Sequence, residues 1–445
     1  MIQFNLLLFF FLAAFLLRSI IEVFLNLLNI SYLRQHTSTV PQEFQDMIDL
    51  ERLKKIATYT IDSDHFLMVS VLANQGLFLA ILLSGFLPWL VKIIHSWGYG
   101  MIVSGLIFFA VLSIFANLLR IPFSLYDTFM IENRYGFNVM SLKMWISDLV
   151  KSVIILSILG GFLLWLLLTL MLHGGNVWWV WAWMLVGAFE LLMLWLFPIV
   201  IAPLFNKFET IENKSLEHRI RTLMEKVGLR AKGVFKMDAG KRSRHTNAYF
   251  TGIGKSKRIV LFDTLLASHT EEEILAVLAH EIGHWKKRHV LRQIVLLEIL
   301  SLAVFYIVVK FLDWSWFYQT FGFQKPIPYV GLFLIGAILS ILGYFVQPLE
   351  SAILRSFERE ADDFALDLMR TADPIRRALK RLATDNLANL IPHPLYAWFY
   401  YSHPPLIERI KRLKMDNPPS SPLPTAGRLY KKGGIVSPPF NTCLR

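Results

Sequence analysis

The sequence predicts an all-α membrane protein of seven transmembrane helices, with polar blocks between and after them, one of which carries a small β-hairpin. Three observations lead there. Of 445 residues, 55% are hydrophobic and 18% charged, whereas a soluble domain carries about 45–50% apolar and roughly 25% charged residues. That excludes a soluble globular, a disordered or a disulfide-rich secreted chain, and the lone Cys443 permits no intramolecular disulfide. Seven stretches approach the ~20 apolar residues that a helix needs to cross hydrocarbon. Lys and Arg fall almost entirely on one side of the resulting topology.

The spans, in order, are Phe4–Leu28, Phe66–Leu90, Met101–Leu119, Val153–Leu172, Val177–Ile201, Ile294–Val309 with its flanks, and Pro328–Val346. The first is not a cleavable signal peptide: its apolar run is too long, no basic stretch precedes it and no small-residue cleavage site follows. Segments 31–65, 120–152, 204–292 and everything after 347 then share the basic side. The opposite side holds the first residues, a link with Lys92, the Gly174-Gly175 turn and a connector bounded by Lys310 and Lys325. Positive charge marks the cytoplasmic face, so the N-terminus is expected outside or lumenal and the C-terminus cytosolic. The net charge of +12 thus reads as topology. The expected partner is the lipid bilayer, and no nucleic acid.

The domain organisation follows. Residues 1–203 hold helices one to five, 204–292 a mixed polar block, 293–347 helices six and seven, 348–415 a helical polar block, and 416–445 a Pro-, Gly- and Lys-rich mobile tail. Within 204–292, an amphipathic helix covers Lys214–Val227 and a strand pair is expected near Asn247–Thr251 and Arg258–Phe262. A further helix runs from Glu271 to about His289, with Thr270 and Glu273 as a capping box at its start. Only two residues follow Cys443, so no prenylation signal closes this chain.

The chemistry lies in Leu278-Ala279-His280-Glu281-Ile282-Gly283-His284, an H-E-x-x-H pattern on that capped helix. Histidines four apart present both imidazoles on one side, the spacing that binds a single zinc ion. Glu281 lies beside this face and can reach a water on the metal, whose pKa zinc lowers to about 7. It can take that proton and deliver it to a leaving amine. The bland alternative is a helix with two surface histidines; in a chain this size the pattern arises by chance on the order of a per cent of the time. The apolar stripe Leu275, Leu278, Ala279 and Ile282 favours a buried metal helix instead.

Catalytic zinc needs a third protein ligand and an open position. Ser356-Phe357-Glu358-Arg359-Glu360-Ala361-Asp362 offers Glu358, with Asp362 one turn on, placed to accept a hydrogen bond from a ligand imidazole. An ordinary solvated charged helix is the alternative, and Glu360 is the rival ligand, off the Glu358/Asp362 face. Two spans between His284 and Glu358 form a hairpin that returns the chain to the same side.

H-E-x-x-H, then E-x-x-A-D after two spans, within seven spans in total, resembles the CAAX prenyl protease 1 family of integral-membrane zinc metalloproteases. The resemblance runs to about Leu413. It includes the segment from Ser243 to Gly252 (S-R-H-T-N-A-Y-F-T-G), the segment from Arg258 to Leu266 (R-I-V-L-F-D-T-L-L), and Tyr401-Ser402-His403-Pro404-Pro405 with Arg409 six residues after the histidine. It implies a zinc metalloendopeptidase with a gluzincin-like protease domain and one Zn2+ per chain on His280, His284 and Glu358. Glu281 would be the general base and Asp362 the carboxylate behind a ligand. Asn247, His403 and Arg409 would bind the substrate backbone or the developing oxyanion, His403 thereby acting in catalysis. The substrate would be a protein or peptide ending in a prenylated Cys-aliphatic-aliphatic-X sequence, losing its last three residues, and the seven helices would enclose a water-filled chamber. A polar interior is also expected from Arg18, Glu22, Glu190 and Glu298 within the spans. The compact polar segments and the wording of Lys241–Leu266 look more like bacterial members, implying the cell inner membrane; a eukaryotic source would imply the endoplasmic reticulum. Two other classes stand beside this one: a quality-control protease like the smaller heat-shock relatives, which have about four spans, and a lipid-binding scaffold with a relict site.

Overall fold

The computed structural model describes residues 2–229, 233–251 and 258–415; the expected mobile tail, Cys443 and Gly252 lie outside them. Among the described residues, seven helices are long and apolar enough to cross a membrane: Leu6–His36, Leu50–Leu83, Met101–Tyr135, Leu142–His173, Gly175–Phe205, His289–Leu312 and Pro328–Met369. The first starts where the Asn5 side chain accepts the Leu8 N–H, satisfying one of the donors that a helix start leaves unpaired.

The second departs most from expectation. It begins sixteen residues earlier than the apolar run, at a cap in which Asp49 accepts the Arg52 N–H, and it stops at Leu83. Its polar first turns bury Leu53 and Ile56 against the non-membrane core, so an amphipathic stripe extends the apolar span. Gly85, at φ 82, then breaks the apolar run and starts a separate short helix, Phe86–Ser96. The seventh helix is a single rod of 42 residues that passes through Pro348. At 1.5 Å per residue it is about 63 Å long, twice the ~30 Å hydrocarbon core. One rigid element therefore serves as both span and site scaffold.

The polar block folds on a four-stranded sheet. Two strands beyond the expected pair complete it: β1 (Phe208–Thr210) and β2 (Gly233–Met237) stand beside β3 (Ala248–Thr251) and β4 (Arg258–Phe262), in the order β1-β2-β4-β3. The β3–β4 pair is antiparallel as the hairpin reading expects, and β2 runs parallel to β4. β1, only three residues long, carries too little alternation to be seen in sequence. β3 ends the sheet on the side of the motif helix, Glu271–Lys286. That helix carries the expected capping box, Thr270 with Glu273, and buries Leu275, Leu278, Ala279 and Ile282. Among the described residues the two largest cores lie around the motif helix and sheet and among the membrane helices.

Candidate active site

Two helices build the centre, and they touch where one of them lacks a side chain. A Cβ on Gly283 would lie 2.9 Å from both the Cα and the carbonyl oxygen of Ala361. This approach brings the face carrying His280 and His284 against the face carrying Glu358 and Asp362. His280 Nε2 lies 3.1 Å from His284 Nε2 and 3.3 Å from Glu358 Oε2, and His284 Nε2 lies 3.1 Å from Glu358 Oε1. Ligand atoms about 2.0–2.1 Å from a tetrahedral zinc stand roughly 3.3 Å from one another, so the three donors have the spacing of such a shell. Among the described residues, Glu358 Oε2 is buried without a hydrogen-bond donor, as an atom meant for a cation would be. Two imidazoles and a carboxylate form the donor set of a catalytic rather than a structural zinc site.

The second nitrogen of each histidine is also engaged. Asp362 Oδ1 lies 2.8 Å from His280 Nδ1. A carboxylate only accepts, so Nδ1 carries the hydrogen and Nε2 presents its lone pair inward. Burial opposes a charge on His280, but the Glu358 and Asp362 carboxylates more than offset it and push the pKa of the metal-free imidazole up to about 10. Arg409 holds Asp362 in turn, donating from Nε at 2.9 Å and from Nη2 at 2.7 Å. Most of its guanidinium thus faces this carboxylate, with Nη1 3.9 Å from Glu358 Oε2. Glu360 points away from the three donors and meets His289 and Arg292.

Glu281, Asn247 and His403 line one small apolar pocket of about 50 Å³ beside His280, together with Val277, Leu379 and Leu382. Asn247 Oδ1 accepts the Ala248 N–H at 2.8 Å, which leaves its NH2 as the group to offer a ligand. His403 Nε2 stands 3.2 Å from Glu358 Oε1, and its Nδ1 meets Ser402 Oγ at 3.0 Å. His403 also borders a second cavity of about 800 Å³, lined by Glu22 and Asn26 of the first helix, Asp64 of the second, Arg120 of the third, and Tyr396. Among the expected intramembrane ions, Glu22 faces this cavity and lies 3.9 Å from Arg18. Glu298 packs on Gly187 instead, where a Cβ would lie 2.8 Å from its Oε1.

Sequence reasoning missed several supporting residues. The loop before β3 is held by His245, whose Nε2 is 3.1 Å from Glu132 Oε2 and whose Nδ1 is 3.1 Å from Asn386 Oδ1. Tyr59 donates to the other Glu132 oxygen at 2.7 Å. These partners come from four distant segments, so no local pattern reveals them. His289 stands out in sequence as a third histidine five residues after His284, but that spacing alone does not show which ring it meets.

Residues 29–207 match the CAAX prenyl protease N-terminal family, described as five membrane helices, and residues 210–416 match peptidase family M48. A CAAX prenyl protease 1 homolog of Arabidopsis thaliana is 33% identical over 404 residues, covering 88% of this chain and 94% of the plant protein. CAAX prenyl protease 1 of Saccharomyces cerevisiae is 35% identical over 330 residues, 70% of this chain and 72% of the yeast protein. The crystal structure of S. mikatae Ste24p matches with a TM-score of 0.85 at 32% identity, over 90% of this chain and 97% of that one.

Proposed function

The chain belongs to the CAAX prenyl protease 1 family within peptidase family M48, and from that premise we propose that it cuts the last three residues from proteins ending in a prenylated Cys-aliphatic-aliphatic-X sequence. It is a multi-pass membrane metallopeptidase. The observation that carries the substrate reading is the apolar pocket beside Glu281, of a size for an aliphatic side chain, which meets the larger polar cavity at His403 and Leu406. An extended C-terminal peptide laid along the β3 edge by main-chain pairing would put an aliphatic residue into the pocket and the preceding chain into the cavity.

In this reading His280, His284 and Glu358 hold one zinc ion, which when bound supplies Lewis acidity toward the scissile carbonyl and acidifies water. Glu281 accepts the proton of the attacking water at a carboxylate oxygen and returns it to the leaving amine. The Asn247 NH2 and the His403 imidazole donate to the substrate backbone and to the carbonyl oxygen as negative charge builds there. Asp362 holds the His280 ring and Arg409 holds Asp362, while the Nη1 edge of Arg409 adds positive charge beside Glu358. Blocks 204–292 and 348–415 act as one catalytic unit on the basic, cytosolic side of the membrane. The N-terminus lies outside or in the lumen; the membrane is the inner membrane in a bacterium and the endoplasmic reticulum in a eukaryote.

The test pairs metal analysis with cleavage of farnesylated and unprenylated peptides. Expected are one zinc per chain, cleavage after the farnesylated cysteine, and loss of cleavage with zinc retained in Glu281→Ala. Zinc-loaded protein that leaves the farnesylated peptide intact yet trims misfolded membrane proteins would refute the substrate and revive the quality-control reading, which the seven spans and the family match do not favour.

A further inference from the structure

The two ligand histidines are held from behind in different ways. His280 leans on a carboxylate, whereas His284 Nδ1 lies 3.0 Å from Nδ1 of another imidazole, His289. His289 is the first residue of the sixth helix and follows Arg288, whose φ of 56 folds the chain back. Only 3% of His289 is exposed, and its ring lies flat on Phe357 with centroids 4.5 Å apart and planes 5° from parallel. Its Nε2 lies 3.3 Å from Glu360 Oε2, and Arg292 Nη1 lies 3.1 Å from the same oxygen.

Hydrogen positions along this row follow from what each group can do. The Glu360 carboxylate accepts, so His289 Nε2 carries hydrogen. The bare Nδ1 of a neutral His289 can then only accept, so His284 Nδ1 carries the next hydrogen. His284 Nε2 is left with its lone pair facing Glu358. We propose that His289, anchored by Glu360 and Arg292, is the positioning residue that locks His284 into its metal-binding tautomer and ring orientation. This rests on the reading of His280, His284 and Glu358 as ligands. It also gives Glu360, the rival ligand in sequence, a different task, and it makes the two histidines unequal: His280 is backed by a full charge, and His284 by a neutral ring that passes on only part of one.

The experiment uses the full-length detergent-solubilised protein, stripped of metal and reloaded. Zinc affinity is read by competition with a chromophoric chelator, and ligand geometry by the visible spectrum of the Co2+ form. His289→Phe keeps a ring to stack on Phe357 but removes the acceptor; its zinc affinity is expected to fall 10–100-fold, with an altered Co2+ spectrum. His289→Asn places an amide oxygen near the former Nδ1 and is expected to recover most of both. Wild-type affinity and spectrum in His289→Phe would overturn the proposal, as would an Asn variant no better than Phe, since packing alone would then explain the loss. Should His289→Phe fail to fold, Glu360→Ala serves: a several-fold loss with an altered spectrum supports the relay, and an unchanged site overturns it. Wild-type protein that binds no stoichiometric metal would instead remove the ligand reading itself, and this inference with it.

Discussion

Glu281 and His280 are neighbours on one helix with separable tasks, so their removal should read out differently. Glu281→Gln keeps the shape of the side chain but cannot take a proton; zinc content should stay at wild type while kcat falls by about 10²–10⁴. Metal analysis beside turnover checks this, and zinc loss in step with activity would contradict it. The proton on His280 is a second handle. Its metal-free pKa, raised to about 10, means that imidazolium contributes stability fully below about pH 6.5, and that this is lost as pH rises through 10. Metal needs the neutral ring, so at pH 7 each zinc should displace about one proton, and affinity should rise about tenfold per pH unit below 10. Calorimetric titration in two buffers of unlike ionisation heat measures the proton count. At this scale the sequence was informative about identities: the spacing of His280 and His284 and the E-x-x-A-D run pick out the residues that converge. The turn of Arg409 onto Asp362 was not legible, because a guanidinium near both a carboxylate and a cleft can serve either.

Among the elements, the crossing of the motif helix and the seventh helix decides whether a site exists. It depends on Gly283, whose place an alanine Cβ could take only by moving the Ala361 backbone. Gly283→Ala should cost about 1–3 kcal/mol and lower both the thermal midpoint and zinc occupancy. Gly343→Ala, where a Cβ meets nothing within 4 Å, should change neither. The capping box is a smaller lever: Thr270→Ala should cost about 1 kcal/mol, read as a shift in unfolding. Helix type and capping were legible because they depend on neighbours in sequence. The strands β1 and β2 were not, because a three-residue strand and a parallel pairing acquire meaning only beside their partner.

Across the whole molecule, the first three spans and residues 386–406 line a cavity of about 800 Å³ into which charged and amide groups of those spans project. The basic segments predict which side is cytosolic. In a Cys443→Ser background, a cysteine replacing Asn176, exposed in the first turn of the fifth span, should be labelled from outside intact right-side-out cells or vesicles. One replacing the exposed Glu212 should be labelled only after permeabilisation. The reverse pattern would invert the topology.

Composition, the period of apolar runs and the sorting of charge were enough to establish a seven-helix membrane protein carrying an H-E-x-x-H centre, because hydrocarbon admits so few backbone solutions and metal ligation so few spacings. Distances across the fold were another matter. That Glu358 meets both histidines, that Asp362 reaches His280 and that Gly283 sets the gap are consequences of two helices crossing after 73 to 81 intervening positions of chain, and side chains brought together in that way leave no periodic trace in either segment.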